Sequence, residues 1–298
     1  MEPHRQRLQA SLGAPVDKSI KRDRLWNMAP DLIPGHDALP KPEEPGIYVY
    51  LPPPEHATKT GVLVFPGGRY SSWAADTEGF NVAHFLNARG VAAFVVYYRN
   101  SLRCQYPVPL LDAQGALRLV RSRAGQYQLD DRKIGVMGFS AGGHLAATLA
   151  TRFDQGDSTA ADPVDRVSCR PDFVVLAYPV ITFTAEPYIH KGSRKNLTGG
   201  RADLYTELSA ELRVTKETPP AFLVHGGRDT GVPAENSVLF YSACRQAGVP
   251  GELHIFQIAG HSFHLGDGDP VLSEWPELLL NWMSVNGWIP RPQHDGNP

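Results

Sequence analysis

The pentapeptide Gly138-Phe139-Ser140-Ala141-Gly142 limits what this chain can become more than any other stretch of it. Before it, Lys133-Ile134-Gly135-Val136-Met137-Gly138 reads as a short buried strand. After it, His144 to Ala150 is a run rich in Ala and Leu with strong helix propensity. A strand that turns straight into a helix at a serine pinches the backbone there and pushes the hydroxyl out beyond the end of the sheet. Gly138 and Gly142 leave room for the strand and helix to cross closely. The motif is short enough to arise by chance around an ordinary turn serine. The strand before it and the helix after it are what favour Ser140 as a nucleophile.

The rest of the chain repeats that alternation. Gly46 to Leu51, Gly61 to Phe65, Val91 to Tyr97, Asp172 to Tyr178, Ala221 to His225 and Glu252 to Phe256 read as strands, Gly61 to Phe65 as a continuous apolar run. Between them, Phe80 to Arg89, Leu110 to Arg123 and Ala234 to Ala247 carry apolar residues at helical spacing, and Trp275 to Met283 mark a closing helix. This predicts an α/β fold, a mostly parallel central sheet with helices on both faces. Residues 1–45 are rich in proline and charge and predict an arm that wraps the domain. Residues 46–290 form one domain, 180–218 have mixed polarity and are expected to lie as an insertion over the site, and 291–298 are a tail. The 298 residues suffice for one large core.

A serine hydroxyl is a weak nucleophile near neutral pH, and it needs a base to take its proton and a carboxylate to hold that base in one tautomer. Asp229, in Gly226-Gly227-Arg228-Asp229, follows the strand ending at His225. His261, in Gly260-His261-Ser262, follows the last strand and its loop. Both fall at the carboxyl edge of the sheet, where sites in open α/β folds collect. Asp229 is the candidate acid and His261 the candidate base. Two other readings stand beside these. Asp229 is placed to cap the following helix, and His264 is a rival base three residues on. His144 and His225 read as packing or hydrogen-bonding residues.

Acyl transfer also builds negative charge on a carbonyl oxygen, which demands donors already aimed at it. The amide of Ala141, next after Ser140, is one. The loop Pro66-Gly67-Gly68-Arg69-Tyr70 supplies the others, with the amides of Gly68 and Arg69 as candidates. Tyr70, Trp73 and His264 are the candidate walls of a substrate pocket.

With 29 basic and 31 acidic residues the formal net charge is -2, and no long like-charge block is present. That leaves no electrostatic footprint for nucleic acid or an anionic membrane, and points to a small or neutral partner. No apolar run is long enough to span a bilayer, and Met1 to Arg7 leads into no apolar leader segment. Cys104, Cys169 and Cys244 are odd in number and far apart, which suggests neither a disulfide framework nor a zinc site and predicts a reducing, cytoplasmic compartment. A secreted protein whose leader had been removed would read the same.

On these residues the chain resembles the α/β-hydrolase superfamily, and within it the acetyl xylan esterase-like branch near the hormone-sensitive-lipase-type carbohydrate esterases. The likeness runs through Val62 to Tyr70, Glu78-Gly79, Tyr98-Arg99, Pro109 to Gln114, Arg132 to Ala146, Arg170 to Asp172, Tyr178 to Val180, Thr218 to Pro220, Val232 to Ser237 and Gly260 to Phe263. The order Ser140, Asp229, His261 is that of this superfamily and differs from other serine-hydrolase orders. The resemblance implies an ester hydrolase without metal or organic cofactor, acting on short acyl esters of sugars or related alcohols. A serine peptidase on the same fold, or a non-catalytic protein that keeps the pocket for a small ligand, are the rival readings. Two departures stand out. The family's loop commonly reads Pro-Gly-Gly-Gly-Tyr, so Arg69 brings a cation to the site and predicts a bias toward anionic esters. Gly-His-Gly-Phe-Gly becomes Gly260-His261-Ser262-Phe263-His264, which adds bulk beside the base.

Overall fold

Gly61–Phe65 holds no polar side chain, and such a run is stable as a strand only where both faces are covered. The computed structural model, which describes residues 22–24, 45–100 and 104–291, buries every residue of it. This is β3. It follows β1 (Arg22–Arg24) and β2 (Gly46–Tyr50), and is followed by β4 (Ala92–Tyr97), β5 (Ile134–Phe139), β6 (Val174–Ala177), β7 (Ala221–Gly226) and β8 (Gly251–Phe256). The sheet order is β1-β2-β4-β3-β5-β6-β7-β8. From β4 to β8 all pairings are parallel, and β1 and β2 pair antiparallel at one edge. Apart from residues 22–24, 45 and 291, the arm and tail expected from sequence lie outside the described residues.

Successive side chains of a strand point to opposite faces, and the two cores follow that rule. Leu63 and Phe65 pack on one face with helices α2 (Val108–Ser122), α3 (Ser140–Thr151) and α5 (Glu235–Gln246). Val62 and Val64 pack on the other with α1 (Asn81–Asn87) and α6 (Trp275–Val285). β8 is only half-buried, as an edge strand can be.

The chain leaves β3 for β4 on one side and returns to β5 on the other. That reversal makes the carboxyl ends of β3 and β5 a topological switch point, the usual place for a site in such sheets. Two features were not expected from sequence. A π-helical turn, Asp76–Phe80, runs directly into α1, and the segment between β6 and β7 contains α4 (Lys191–Thr198) with two short 3-10 turns. Just past β4, Arg99 grips the fully buried Asp112 with two nitrogens, Nε at 2.9 Å and Nη2 at 2.6 Å. The neighbouring Tyr98 hydroxyl donates to the Pro66 carbonyl at 2.8 Å.

Candidate active site

Strand register explains why distant residues meet. Phe65 on β3 stands opposite Gly138 on β5, and Phe139 opposite Ala177 on β6. Two steps past Phe65, Gly67 therefore comes level with Ser140, and so does Tyr178 from the other side. Ser140 has φ of 51°, in the left-handed region that a serine adopts only under constraint. The glycines around it are sterically required. A Cβ on Gly142 would lie 2.1 Å from the Phe65 carbonyl oxygen, and one on Gly138 would lie 2.2 Å from that of Gly142.

Ser140 Oγ lies 2.8 Å from His261 Nε2, and His261 Nδ1 lies 2.5 Å from Asp229 Oδ2. With Nδ1–H donated to the carboxylate, Nε2 is left to accept the serine proton. Asp229 divides its oxygens between two tasks. Oδ1 accepts the N–H groups of Gly231 at 2.9 Å and Val232 at 2.8 Å, bracing the turn after β7, while Oδ2 faces His261. It does not cap α5, whose N-cap position is Ala234. Burial pushes this carboxyl up, but hydrogen bonds from His225, His261 and Val232 outweigh it and hold the group well below the usual carboxylate range.

The loop after β3 lies against the serine: a Cβ on Gly67 would lie 3.0 Å from Ser140 Cβ. The Gly67 N–H is spent on Glu78 Oε2 at 2.8 Å. Among the described residues no acceptor stands against the N–H of Gly68 or Arg69. Ala141 lies in the first turn of α3, where N–H groups have no partner inside the helix. These N–H groups are the donors expected from sequence, two on the loop after β3 and one in the first turn of α3. Arg69 is exposed, with φ of 60°, and its carbonyl accepts from Asn196 Nδ2 on α4 at 2.9 Å.

The three pocket candidates are placed differently from one another. Tyr70 is buried behind the loop, its hydroxyl 2.8 Å from His144 Nδ1. Trp73 is half-buried, packs against Tyr97 and donates its indole N–H to the Tyr98 carbonyl at 3.0 Å. His264 is half-exposed, 4.0 Å from Glu78 Oε1, and the imidazole on Ser140 is that of His261.

Sequence reasoning left four neighbours without a place in the site. His225 is fully buried, with Nε2 2.8 Å from the Val232 carbonyl and 3.4 Å from Asp229 Oδ2, and Nδ1 2.7 Å from Ser237 Oγ. Its position four residues before Asp229 at the end of a strand was the available signal. Glu78 and Tyr178 carry no signal in periodicity or spacing and stand only within the stretches Glu78-Gly79 and Tyr178 to Val180 that carry the family resemblance. His190 is a fourth, its Nδ1 accepting the Ser193 N–H at 3.1 Å at the start of α4. Burial and then the charges of Arg69 and His261 push its ring down. Among the described residues no cluster of His, Cys, Asp and Glu could hold a metal ion, and no helix is long and apolar enough to cross a membrane.

A family model described as BD-FAE matches residues 47–244. The chain is 34% identical over 78% of its length to the endo-1,4-beta-xylanase B of Butyrivibrio fibrisolvens, covering 36% of that protein. It is 32% identical over 81% of its length to the acetylxylan esterase of Xylanibacter ruminicola, covering 48% of it. It therefore spans between about a third and a half of these relatives. A solved structure, the acetyl ester-xyloside bifunctional hydrolase of Caldicellulosiruptor lactoaceticus, superposes with a TM-score of 0.85 at 41% identity, covering 90% of this chain and 97% of that one.

Proposed function

The chain belongs to the BD-FAE family of α/β-hydrolases, and from that premise we propose that it is a serine carboxylesterase that removes short acyl groups, acetyl foremost, from the hydroxyls of sugars. The observation that carries the reading is the unbroken relay from Ser140 through His261 to Asp229, at 2.8 and 2.5 Å. Ser140 Oγ attacks the ester carbonyl while its proton passes to His261 Nε2. The negative charge that grows on the carbonyl oxygen is met by the N–H groups of Gly68, Arg69 and Ala141. His261 returns the proton to the departing alcohol oxygen, leaving an acyl group on Ser140. A water molecule, deprotonated by the same imidazole, then releases the acid.

The acylated sugar is favoured over a peptide by the relatives, whose names describe xylan and its acetyl esters. Residues 46–290 act as one hydrolase domain, and 180–218 form one wall of the pocket, with α4 resting on the Arg69 carbonyl. The test is hydrolysis of p-nitrophenyl esters from acetate to octanoate beside an acetylated xylo-oligosaccharide, with Ser140→Ala as control. Acetate is expected to be the preferred ester, the sugar to lose acetate without being shortened, and both rates to fall about 10⁴-fold or more in the variant. Preference for octanoate with the sugar untouched would replace the sugar-ester reading by a lipolytic one.

A further inference from the structure

Glu78 is a carboxylate with 2% of its surface exposed, among the described residues without an arginine or lysine partner, beside a site that already has its acid in Asp229. Burying such a group costs several kcal/mol unless donors and charge compensate it. Both of its oxygens are used on loops of the site. Oε2 accepts the Gly67 N–H at 2.8 Å, and Oε1 accepts the Tyr178 hydroxyl at 2.9 Å with His264 Nε2 at 4.0 Å. One side chain thus ties together the ends of three strands: the loop after β3, Tyr178 after β6, and the His261 to His264 loop after β8.

The contacts are tight. A Cβ on Gly67 would fall 2.7 Å from Glu78 Oε2 and 3.0 Å from Ser140 Cβ, so the glycine is wedged between carboxylate and nucleophile. Tyr178 in turn stands edge-on to the His261 ring at 5.1 Å and to Phe263 at 4.7 Å. We propose that Glu78 is a positioning residue of the reaction, fixing through Gly67 the direction of the Gly68 and Arg69 amides and presenting a second negative charge to the imidazolium that forms on His261.

The mechanism needs both effects at one moment. When His261 takes the Ser140 proton, a cation appears on the imidazole and an anion on the substrate oxygen. A carboxylate that faces the first and orients the donors for the second stabilises the pair together. The charged and titratable groups around Glu78 are Tyr98 from the end of β4, Tyr178 from the end of β6, and His261 and His264 after β8. Those around His261 are Asp229, Glu78, Tyr178 and His190. Burial raises the Glu78 carboxyl, and the Gly67 N–H, the Tyr178 hydroxyl and the two histidines act against it. Burial and the charge on Glu78 push the Tyr178 hydroxyl up, which keeps it a donor.

The inference rests on the serine esterase reading, and the experiment separates the two. Glu78→Gln and Glu78→Asp are compared with the full-length wild type on p-nitrophenyl acetate from pH 5 to 9, with thermal unfolding recorded for each. In Glu78→Gln kcat is expected to fall about tenfold to hundredfold, as for a loop donor displaced by about 1 Å, with KM within threefold and the acid limb of the kcat/KM profile moved to lower pH. Glu78→Asp keeps the charge but draws back from Gly67, so its kcat falls while its acid limb stays in place. Wild-type kcat and an unmoved limb in Glu78→Gln would make Glu78 a core carboxylate only. If that variant does not fold, Glu78→Asp decides: wild-type kcat in it overturns the proposal. Ester hydrolysis that survives Ser140→Ala would instead sink the esterase reading.

Discussion

Gly68→Ala is the sharpest single test of the loop after β3. Gly68 has φ of 137°, a conformation that a residue with a Cβ rarely adopts. The added carbon would lie 2.1 Å from the Ser72 carbonyl oxygen and 2.5 Å from its carbonyl carbon, both main-chain atoms that cannot rotate aside. Ordinary contact begins at 3.4 Å, so the loop has to open by about 1.3 Å. Backbone strain of this kind costs about 1–3 kcal/mol, which a domain of this size survives. The amides of Gly68 and Arg69 do not survive it in place. A shift of about 1 Å in a positioned group costs on the order of 10²-fold in rate. The assay is steady-state hydrolysis of p-nitrophenyl acetate by variant and wild type, with circular dichroism to establish that both are folded. The expected result is kcat lowered about 100-fold with KM nearly unchanged, since the donors act on charge present only in the transition state. A folded Gly68→Ala enzyme within twofold of wild-type kcat would refute the assignment of these amides.

Arg69→Ala removes the only cation that the oxyanion loop carries. The ratio of kcat/KM for a succinate half-ester to that for a neutral ester of equal length is expected to fall severalfold, and an unchanged ratio would show that the guanidinium does not meet the substrate. His144 is held neutral, burial having pushed its ring down to about 4. The unfolded chain takes up a proton near pH 6.5 that the folded one refuses, so this stabilisation is complete above pH 6.5 and is lost as pH falls toward 4. The difference in unfolding free energy between wild type and His144→Gln is expected to shrink by roughly 3 kcal/mol over that interval; a difference independent of pH would count against it.

That Ser140, Asp229 and His261 would meet was legible because each lies past the carboxyl end of a strand, Ser140 at once, Asp229 after a short turn and His261 after a loop, and the strands deliver them to one edge. The two-glycine loop was legible for the same reason. Glu78, Tyr178 and His225 were not, because their roles depend on register between strands rather than on neighbours in sequence. Nothing local to Asp76–Phe80 announces that its glutamate turns inward under Gly67. Tyr70 shows the opposite error of local reasoning. An aromatic beside an oxyanion loop suggests a pocket wall, but here the ring is drawn into the core by His144, whose Nε2 is itself 2.8 Å from the Leu208 carbonyl oxygen. The antiparallel edge is likewise a matter of pairing, for β2 reads the same in either direction.

The arrangement around Asp229 also settles which way its proton lies. A carboxylate 2.5 Å from an imidazole and shut away from water competes with that imidazole for the hydrogen between them, since burial alone favours the neutral pair. Here the carboxylate holds further donors: the Gly231 and Val232 N–H groups on one oxygen, and His225 Nε2 at 3.4 Å on the other. His225 Nε2 faces two acceptors, the Val232 carbonyl at 2.8 Å and Asp229 Oδ2, which calls for the proton there and leaves Nδ1 to accept from Ser237 Oγ at 2.7 Å. All of these donors belong to β7, to the turn after it or to α5, so they are in place before any substrate arrives. These donors favour the anion of Asp229, and in the mechanism proposed above the proton taken from Ser140 stays on His261 until the leaving alcohol collects it. In that mechanism the part of His225 is to keep its neighbour charged without touching substrate.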